Sequence, residues 1–285
     1  MAKFYPEVYE LRPWYHDFSS LGVQTRFPER FVDRLWRMLT PLRRWIEPDY
    51  VEKGEKFSLR QLINPRVPAH QVNQAAKEAH IVPLIALALE ALADKEALTC
   101  LDLFCADGYY TCHTARLRPD ADITGVDLDP DEVARARLIS RVLEAPRATF
   151  LVADVWKFVA EAPAYDLVLC TGGLYHLRDP QRLLAQLAPV VGRYLVIQSA
   201  ITLETEDPDY FVSPAPGWRH GSRFTHARLR AWLEALGWEI VAEARNELPG
   251  NTRPCDRGSS YFLCRASRQA GQADQENQVE RGGAR

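Results

Sequence analysis

Residues 99–116, TCLDLFCADGYYTCHTAR, decide how the rest of the chain is interpreted. The apolar run Cys100–Phe104 predicts a short buried strand, Cys105–Gly108 predicts a tight turn, and the residues after it predict a helix. Such a turn lets a ligand approach the backbone, and the helix N-terminus offers unpaired N–H groups. The stretch therefore predicts the start of a nucleotide-type pocket in a parallel α/β sheet.

Predicted strands and helices alternate after this stretch, which indicates a parallel α/β sheet. The strands are predicted at 99–104, 122–127, 148–152, 165–170 and 193–199, and the helices at 109–117, 130–144, 155–160 and 180–189. A proline-rich loop at 201–223 is followed by a predicted helix at 225–236 and by strands at 238–244 and 260–265. Ahead of the sheet, residues 69–92 have a helical pattern, with Pro83 expected to separate two helices or to stand in the first turn of the second.

The segment before the sheet, residues 1–70, is rich in aromatic residues and arginines. We expect it to be an α-helical extension that caps the ligand site, followed by the main domain at 71–266 and a disordered polar tail at 267–285. Within the extension, Pro28–Trp45 has a helical pattern that brings four arginines near one face. That face either contacts phosphates or is simply solvated.

The composition narrows the class of protein. The 285 residues are 47% apolar and carry a formal net charge of −3, so there is no global basic field for avid nucleic-acid binding. The first residues contain no long apolar run, and we expect neither a signal peptide nor a membrane anchor. The six cysteines form no CxxC pair, which favours reduced thiols in a cytoplasmic protein over disulfides or a metal site.

Acidic residues stand at the ends of three successive predicted strands. Asp102 lies in the first strand, Asp127 ends the second, and Asp154 follows the third. A carboxylate in the place of Asp127 can accept both hydroxyls of a ribose, and Asp154 can accept from an adenine amino group. Local backbone bonds and helix N-capping are the alternatives for these side chains. Since the turn lacks the third glycine of a GxGxxG fingerprint, the acids favour a ligand with an adenosine and a cation over a nicotinamide or flavin.

Four motifs carry these features, namely LDLFCADGYYT, ITGVDLDP, VADV and YDLVLCTGGLYHLRDP. Together, over residues 77–265, they resemble the class I S-adenosylmethionine-dependent methyltransferases. The resemblance implies a Rossmann-like sheet of seven strands, mostly parallel with the last strand antiparallel, and S-adenosyl-L-methionine as the cofactor with no metal. The residues that it implies for cofactor binding are Asp102, Phe104, Cys105, Ala106, Gly108, Asp127, Leu128, Asp154, Val155 and Cys170.

Two residues of the turn depart from that family, because Phe104 and Ala106 stand where it usually has glycines. Alanine still permits a close approach, whereas Phe104 either covers the ligand or packs under it. By the same resemblance, Asp102 and the turn hold the methionine part, Asp127 holds the ribose and Asp154 holds the adenine.

A narrower set of motifs, RPWYHDFSSLGVQT, NQAAKE and GLYHLRDP, resembles the family of the tRNA wobble-uridine (5-hydroxyuridine) carboxymethyltransferase. This resemblance implies a carboxylated form of the cofactor, held partly by a lysine ahead of the sheet and by the tyrosine of the LYH stretch. Lys77 and Tyr175 are the matching residues, with Arg257 as a looser candidate. It also makes tRNA an alternative to a small-molecule substrate.

Candidate catalytic residues follow the fourth predicted strand. Methyl transfer is an in-line displacement in which the protein positions the nucleophile and removes its proton. The candidate bases are His176, His16 and His220, and its position after the fourth strand favours His176. The alternative for His176 is a bond to local backbone, and Tyr175 can shape the methyl channel. The candidate substrate contacts are Lys77, His16, Trp218, Arg219 and His220. His16 could instead be an ordinary surface histidine. Trp218, Arg219 and His220 could instead form a loop that the tryptophan anchors.

Two missing motifs narrow the reaction. Neither an Asn-Pro-Pro-Tyr stretch after the fourth strand nor a Pro-Cys nucleophile at a strand end occurs, which disfavours methylation of exocyclic amines and of pyrimidine C5. We therefore expect O-directed methyl transfer to a small hydroxylated metabolite, with a tRNA wobble-uridine-modifying methyl- or carboxymethyltransferase as the alternative. A further hypothesis, motivated by Phe104 and Ala106, is a non-catalytic partner that keeps the fold and binds another protein through its aromatic N-terminal surface.

Overall fold

A seven-stranded sheet is the centre of the structure, a computed structural model that describes residues 1–27, 69–251 and 253–266. The strands are β1 (Thr99–Leu103), β2 (Asp122–Asp127), β3 (Ala148–Val152), β4 (Tyr165–Thr171), β5 (Val191–Ile201), β6 (Phe211–Val212), β7 (Arg223–Phe224), β8 (Trp238–Glu247) and β9 (Gly258–Ala266). Strands β6 and β7 pair only with each other, in a separate small sheet.

The order of strands in the main sheet is β3-β2-β1-β4-β5-β9-β8. Strands β1 to β5 pair in parallel, whereas β9 runs antiparallel between β5 and β8. The predicted sheet, mostly parallel with an antiparallel last strand, is confirmed. Because the chain moves outward from β1 on one side and from β4 on the other, the carboxyl ends of these two strands form the switch point where open α/β sheets bind ligands.

The helices cover both faces of this sheet. They are α1 (Pro6–Glu10), α2 (Ala69–Glu90), α3 (Tyr109–Leu117), α4 (Pro130–Val142), α5 (Val155–Glu161), α6 (Pro180–Leu187), α7 (His226–Ala235) and α8 (Pro254–Arg257), with single 3₁₀ turns at Phe18–Leu21 and Leu174–His176. The predicted alternation of strands and helices after residue 99 is confirmed, with differences of a few residues at the ends of elements.

The prediction for Pro83 was wrong, because α2 runs through it without a break. The proline removes the hydrogen bond to the carbonyl of Ala79, which costs roughly 3 kcal/mol in a helix interior. Pro83 and Ala79 are both exposed, so water can reach that region, while Ile81 and Ile85 are buried on the opposite face. Burial of each isoleucine contributes about 1.5–3 kcal/mol, which together offsets the loss.

Two hydrophobic cores lie on opposite faces of the sheet, because successive strand residues point to opposite sides. Cys100 of β1 belongs to the first core, which packs against α2, α3 and α4, whereas Leu101 and Leu103 belong to the second, under α5, α6 and α7. The N-terminal residues also belong to the first core, through the buried side chains of Val8, Trp14, Phe18, Leu21 and Val23. The segment 1–27 is therefore packed into the domain.

Main-chain hydrogen bonds close this N-terminal segment on itself. The Lys3 N–H donates to the Gly22 carbonyl at 2.8 Å, and the Gln24 N–H donates to the Lys3 carbonyl at 2.9 Å. The predicted helix at Pro28–Trp45, with its arginine face, and the predicted tail at 267–285 lie outside the described residues. In the part of the chain that the structure describes, no helix has the length and apolar character needed to cross a membrane.

Candidate functional site

The turn between β1 and α3 has an unusual backbone. Phe104 and Ala106 have φ angles of 62° and 46°, in the left-handed region that favours glycine, and Gly108 has 81°. Glycine is required at position 108 for a second reason, since a Cβ atom there would lie 2.9 Å from the Cβ of Ala136 in α4. The turn therefore packs closely on α4 at Gly108, and its backbone lies at the carboxyl end of β1.

Asp127 links the turn after β1 to the turn between β2 and α4. Its Oδ2 accepts from the Ala106 N–H at 2.9 Å, and its Oδ1 accepts from the Asp129 N–H, also at 2.9 Å. Asp129, and not Asp127, caps α4. Each carboxylate oxygen can accept a second hydrogen bond, so the half-buried Asp127 keeps the capacity to bind two hydroxyls. The side chain of Leu128 beside it is 68% exposed.

Asp154 caps helix α5, which is the N-capping role given above as an alternative to ligand binding. Its Oδ1 accepts from the backbone N–H groups of Trp156 at 2.8 Å and Lys157 at 3.3 Å. Its Oδ2 has no hydrogen bond to the described residues, so the capping role leaves one oxygen for a ligand. Val155, which follows it, is buried.

Asp102 is fully buried, and only one of its two carboxylate oxygens accepts a hydrogen bond from the described residues. The Thr111 hydroxyl donates to Oδ2 at 2.6 Å, while Oδ1 is enclosed and finds no partner among the residues described. Burial raises the pKa of Asp102 to about 7. Other buried oxygens without a partner among the described residues include Thr171 Oγ1 on β4 and Gln198 Oε1 on β5. An unpaired buried carboxylate oxygen is costly unless a ligand supplies the donor.

The two cysteines predicted for cofactor binding turn their side chains into the cores. Cys105 is 3% exposed within the first core, and Cys170 is fully buried within the second. The ring of Phe104 packs on Gly173 after β4, where a Cβ atom would overlap it. The turn therefore presents its backbone at the edge of the sheet, and neither the Cys105 thiol nor the Cys170 thiol faces that edge.

His16 is buried against the turn, so its interpretation as a surface histidine was wrong. It is 3% exposed, and its Nδ1 lies 2.6 Å from Asp107 Oδ1, while its backbone N–H donates to Asp107 Oδ2 at 2.8 Å. The His16 ring stacks on Tyr109 with centroids 4.9 Å apart. Sequence reasoning missed this pair because its members are 91 positions apart and no local periodicity links them.

Lys77 is a buried cation on the inner face of α2. It is 5% exposed, and none of the described residues forms an ion pair or hydrogen bond with it. Burial lowers its pKa to about 8. One turn earlier on the helix, Gln74 bonds to the hydroxyl of Tyr15, whose pKa is raised by burial and further by the nearby Tyr175 and Asp107. Tyr15 thus connects the surroundings of Lys77 with both the first turn and the loop after β4.

Tyr175 and His176 lie side by side in the 3₁₀ turn after β4, with ring centroids 4.2 Å apart. Tyr175 is half-buried and has a pKa raised by burial, whereas His176 is exposed. Arg223, which sequence reasoning missed, is buried, lies over the Tyr175 ring at 5.5 Å and pairs with Asp256 at 2.6 Å. Arg257, the looser candidate, is exposed and pairs with Glu247 at 2.6 Å.

The loop that carries Trp218, Arg219 and His220 lies against the loop after β4. Arg178 donates to the Arg219 carbonyl at 3.1 Å, and the Ser222 N–H donates to the Tyr175 carbonyl at 3.0 Å. Arg219 and His220 are exposed, and Trp218 is half-buried. The structure thus brings both candidate substrate loops to the same edge of the sheet.

Comparison with known proteins agrees with this arrangement. A family model described as "Methyltransferase domain" matches residues 94–226. A tRNA (guanine-N(7)-)-methyltransferase of Chloroflexus aggregans is 33% identical over 130 residues, covering 43% of this chain and 57% of that protein. An uncharacterised protein of Synechococcus is 38% identical over 90 residues, covering 31% of this chain and 21% of that protein. The chain therefore spans less than two thirds of the length of these curated relatives.

Among solved structures, magnesium protoporphyrin IX methyltransferase from Synechocystis, with bound S-adenosylmethionine, is similar in fold. Its TM-score is 0.51 at 18% identity, and the match covers 86% of this chain and all of that one. The same enzyme with bound S-adenosylhomocysteine gives a TM-score of 0.52 at 17% identity, over 84% of this chain and all of that one. Residues 94–226 therefore match the methyltransferase-domain family, and the chain shares the fold of magnesium protoporphyrin IX methyltransferase.

Proposed function

We propose that this chain is an S-adenosylmethionine-dependent methyltransferase that binds its cofactor along the carboxyl ends of β1, β2 and β3. The observation that carries the proposal is the buried Oδ1 of Asp102, which no described residue satisfies. A carboxylate in this place suits the ammonium group of the methionine part. Asp127 would then accept from the ribose hydroxyls and Oδ2 of Asp154 from the adenine amine, beside the exposed apolar side chain of Leu128. When bound, the cofactor supplies an electrophilic methyl group on a sulfonium.

Calorimetric titration with S-adenosylhomocysteine tests this proposal. We expect binding to the wild type and a loss of about 100-fold in Asp127→Ala, because a carboxylate with two hydroxyl partners is removed. Asp131→Asn is the matched control, since Asp131 is an exposed carboxylate in the first turn of α4, close to the site but outside it. If the wild type binds neither S-adenosylmethionine nor S-adenosylhomocysteine, the proposed function is wrong.

The acceptor that we favour is a small metabolite with a hydroxyl nucleophile and an anionic substituent. Lys77 supports the anionic substituent, because a buried ammonium that no described residue pairs with is stabilised by a bound carboxylate or phosphate. Tyr175, half-buried in the 3₁₀ turn after β4, would line the methyl channel, and the exposed His176 beside it would be the base. An acceptor screen with hydroxylated carboxylic acids, scored by release of S-adenosylhomocysteine, should single out compounds whose turnover falls in Lys77→Met.

The same lysine supports a second candidate, a carboxymethyl transfer to tRNA from a carboxylated cofactor. In that case the anion beside Lys77 belongs to the donor, in line with the motifs that resemble the wobble-uridine enzymes. The local similarity to a tRNA methyltransferase also favours a tRNA acceptor. Mass spectrometry of the small molecule that co-purifies with the protein separates the two donors. A gel shift with tRNA at low salt tests the acceptor, and no retention there excludes it.

A non-catalytic role remains the competing hypothesis, since Phe104 and Ala106 occupy positions in the turn that favour glycine. It predicts a pocket that holds no cofactor. Detection of S-adenosylmethionine or its product in the purified protein would exclude it.

A further inference from the structure

The turn between β1 and α3 holds two residues other than glycine at positive φ, Phe104 at 62° and Ala106 at 46°. For an L-residue, the left-handed region is disfavoured by a factor of roughly 5 to 30. Two such residues within three positions mean that contacts from outside the turn must hold it in this conformation. The proposed cofactor would meet this backbone directly, so its affinity depends on the fraction of molecules with the turn in place.

The N-terminal segment contacts the turn through two hydrogen bonds between His16 and Asp107. His16 donates its backbone N–H to Asp107 Oδ2 at 2.8 Å, and its Nδ1 lies 2.6 Å from Asp107 Oδ1. Both side chains are almost fully buried, so water competes little for these bonds. The ring of His16 also stacks on Tyr109 and meets Tyr110 edge-on, at the start of α3.

His16 is itself held firmly by its own segment. Its carbonyl accepts from the Thr25 hydroxyl at 3.2 Å, and the same hydroxyl oxygen accepts from the Phe18 N–H at 2.9 Å. Phe18 is fully buried in the first core. The bonds to Asp107 therefore connect the turn to a fixed part of the fold.

Asp107 needs such a partner because other carboxylates surround it. The charge of Asp107 acts on Glu132, whose pKa is raised to about 7 mainly by burial and next by this charge. Asp102 and Asp127 lie in the same strand–turn region. Without His16, the buried Asp107 carboxylate would have no donor among the described residues, and rotation of this side chain toward water would release the turn.

We propose that residues 1–27 are a positioning element for the cofactor, in which His16 holds the strained turn in its binding conformation through Asp107. The proposal rests on the proposed function, because it takes the turn as part of the cofactor site. It explains how Phe104 and Ala106 are compatible with cofactor binding. His16 acts here through Asp107 and is a positioning residue.

The test combines the affinity for S-adenosylhomocysteine with amide hydrogen exchange of the protein without ligand. We expect His16→Ala to bind at least about tenfold more weakly and to exchange faster at the Cys105, Ala106 and Gly108 amides, which are bonded within or across the turn. His16→Asn, which keeps a donor near the place of Nδ1, should recover part of the affinity. Leu233→Val, a core substitution on the opposite face of the sheet, should lower stability without a change in affinity or in exchange at the turn.

The decisive variant relieves the strain in another way. Ala106→Gly makes the positive φ easy to adopt, so in the His16→Ala background it should restore the affinity about fivefold, with little effect in the wild type. A merely structural role of His16 predicts no such rescue.

Three outcomes overturn the positioning role. They are unchanged affinity in His16→Ala, unchanged exchange at the three amides, or equal effects of Ala106→Gly in both backgrounds. If the wild type itself binds no S-adenosylhomocysteine, the proposed function fails as well, and the exchange data still show whether His16 holds the turn.

Discussion

The buried ammonium of Lys77 lowers the stability of the ligand-free protein, and methionine in its place should raise it. Burial lowers the pKa of Lys77 from 10.5 to about 8, a difference worth about 3 kcal/mol. The unfolded chain binds this proton more tightly than the folded protein, so stability rises as the pH increases from about 8 to 10.5. The unfavourable contribution is therefore complete below about pH 8. We predict that Lys77→Met raises the free energy of unfolding by about 3 kcal/mol at pH 7 and by less than about 1 kcal/mol at pH 10.

Urea unfolding of both proteins at pH 7 and pH 10 measures this difference. Comparison of the two proteins at one pH cancels the titration of every other group. Lys157→Met is the control, because Lys157 is exposed on α5 and its replacement should change stability by less than about 0.5 kcal/mol at either pH. A gain that is the same at pH 7 and pH 10, or a loss of stability at pH 7, would refute the reasoning. The same variant should lose affinity for an anionic ligand, so greater stability would accompany weaker function.

Three other substitutions probe the site and its support. Asp102→Asn should stabilise the ligand-free protein increasingly from pH 4 to pH 7, by up to about 4 kcal/mol, and thermal unfolding across that range measures the gain. The reason is that the unfolded carboxyl ionises from about pH 4, whereas the folded one, with its pKa raised to about 7, stays protonated, so the wild type loses stability over this range. Gly108→Ala should cost about 2–4 kcal/mol in urea unfolding, through the positive φ and the overlap with Ala136, and a cost below about 1 kcal/mol would contradict the close packing. Arg223→Met should cost about 2–3 kcal/mol, because it removes the nearer of the two arginines that pair with the half-buried Asp256 and leaves only Arg253 at 3.5 Å; Asp256→Asn in addition should recover part of it.

The sheet and the acidic strand ends could be predicted because their signals are local. An apolar run of about five residues, a turn and a helical pattern recur along the chain, and each can be recognised without knowledge of distant residues. The positions of Asp102, Asp127 and Asp154 follow from that alternation, since parallel strands bring their carboxyl ends to one edge. Gly108 was recognised in the same way, from its place between a strand and a helix.

The supports of the site could not be predicted, because they depend on residues that meet only in the folded chain. His16 and Asp107 are 91 positions apart, and Arg223 and Asp256 are 33 apart. No periodic pattern in the sequence indicates such a pair. Pro83 shows the same limit within one helix, since its local signal for a break is outweighed by burial on the opposite face of α2.

The N-terminal segment also has a consequence for how the protein is made. The ribosome releases His16 long before Asp107, and at 5–20 residues per second the 91 intervening positions take roughly 5 to 20 seconds. During that time Trp14 and Phe18 have no first core in which to be buried, because α3 and α4 have not yet been synthesised. The nascent chain thus exposes a short aromatic stretch during synthesis. A chaperone that binds exposed aromatic stretches can bind this one during that time. It can no longer do so once the turn has been synthesised and the first core has formed.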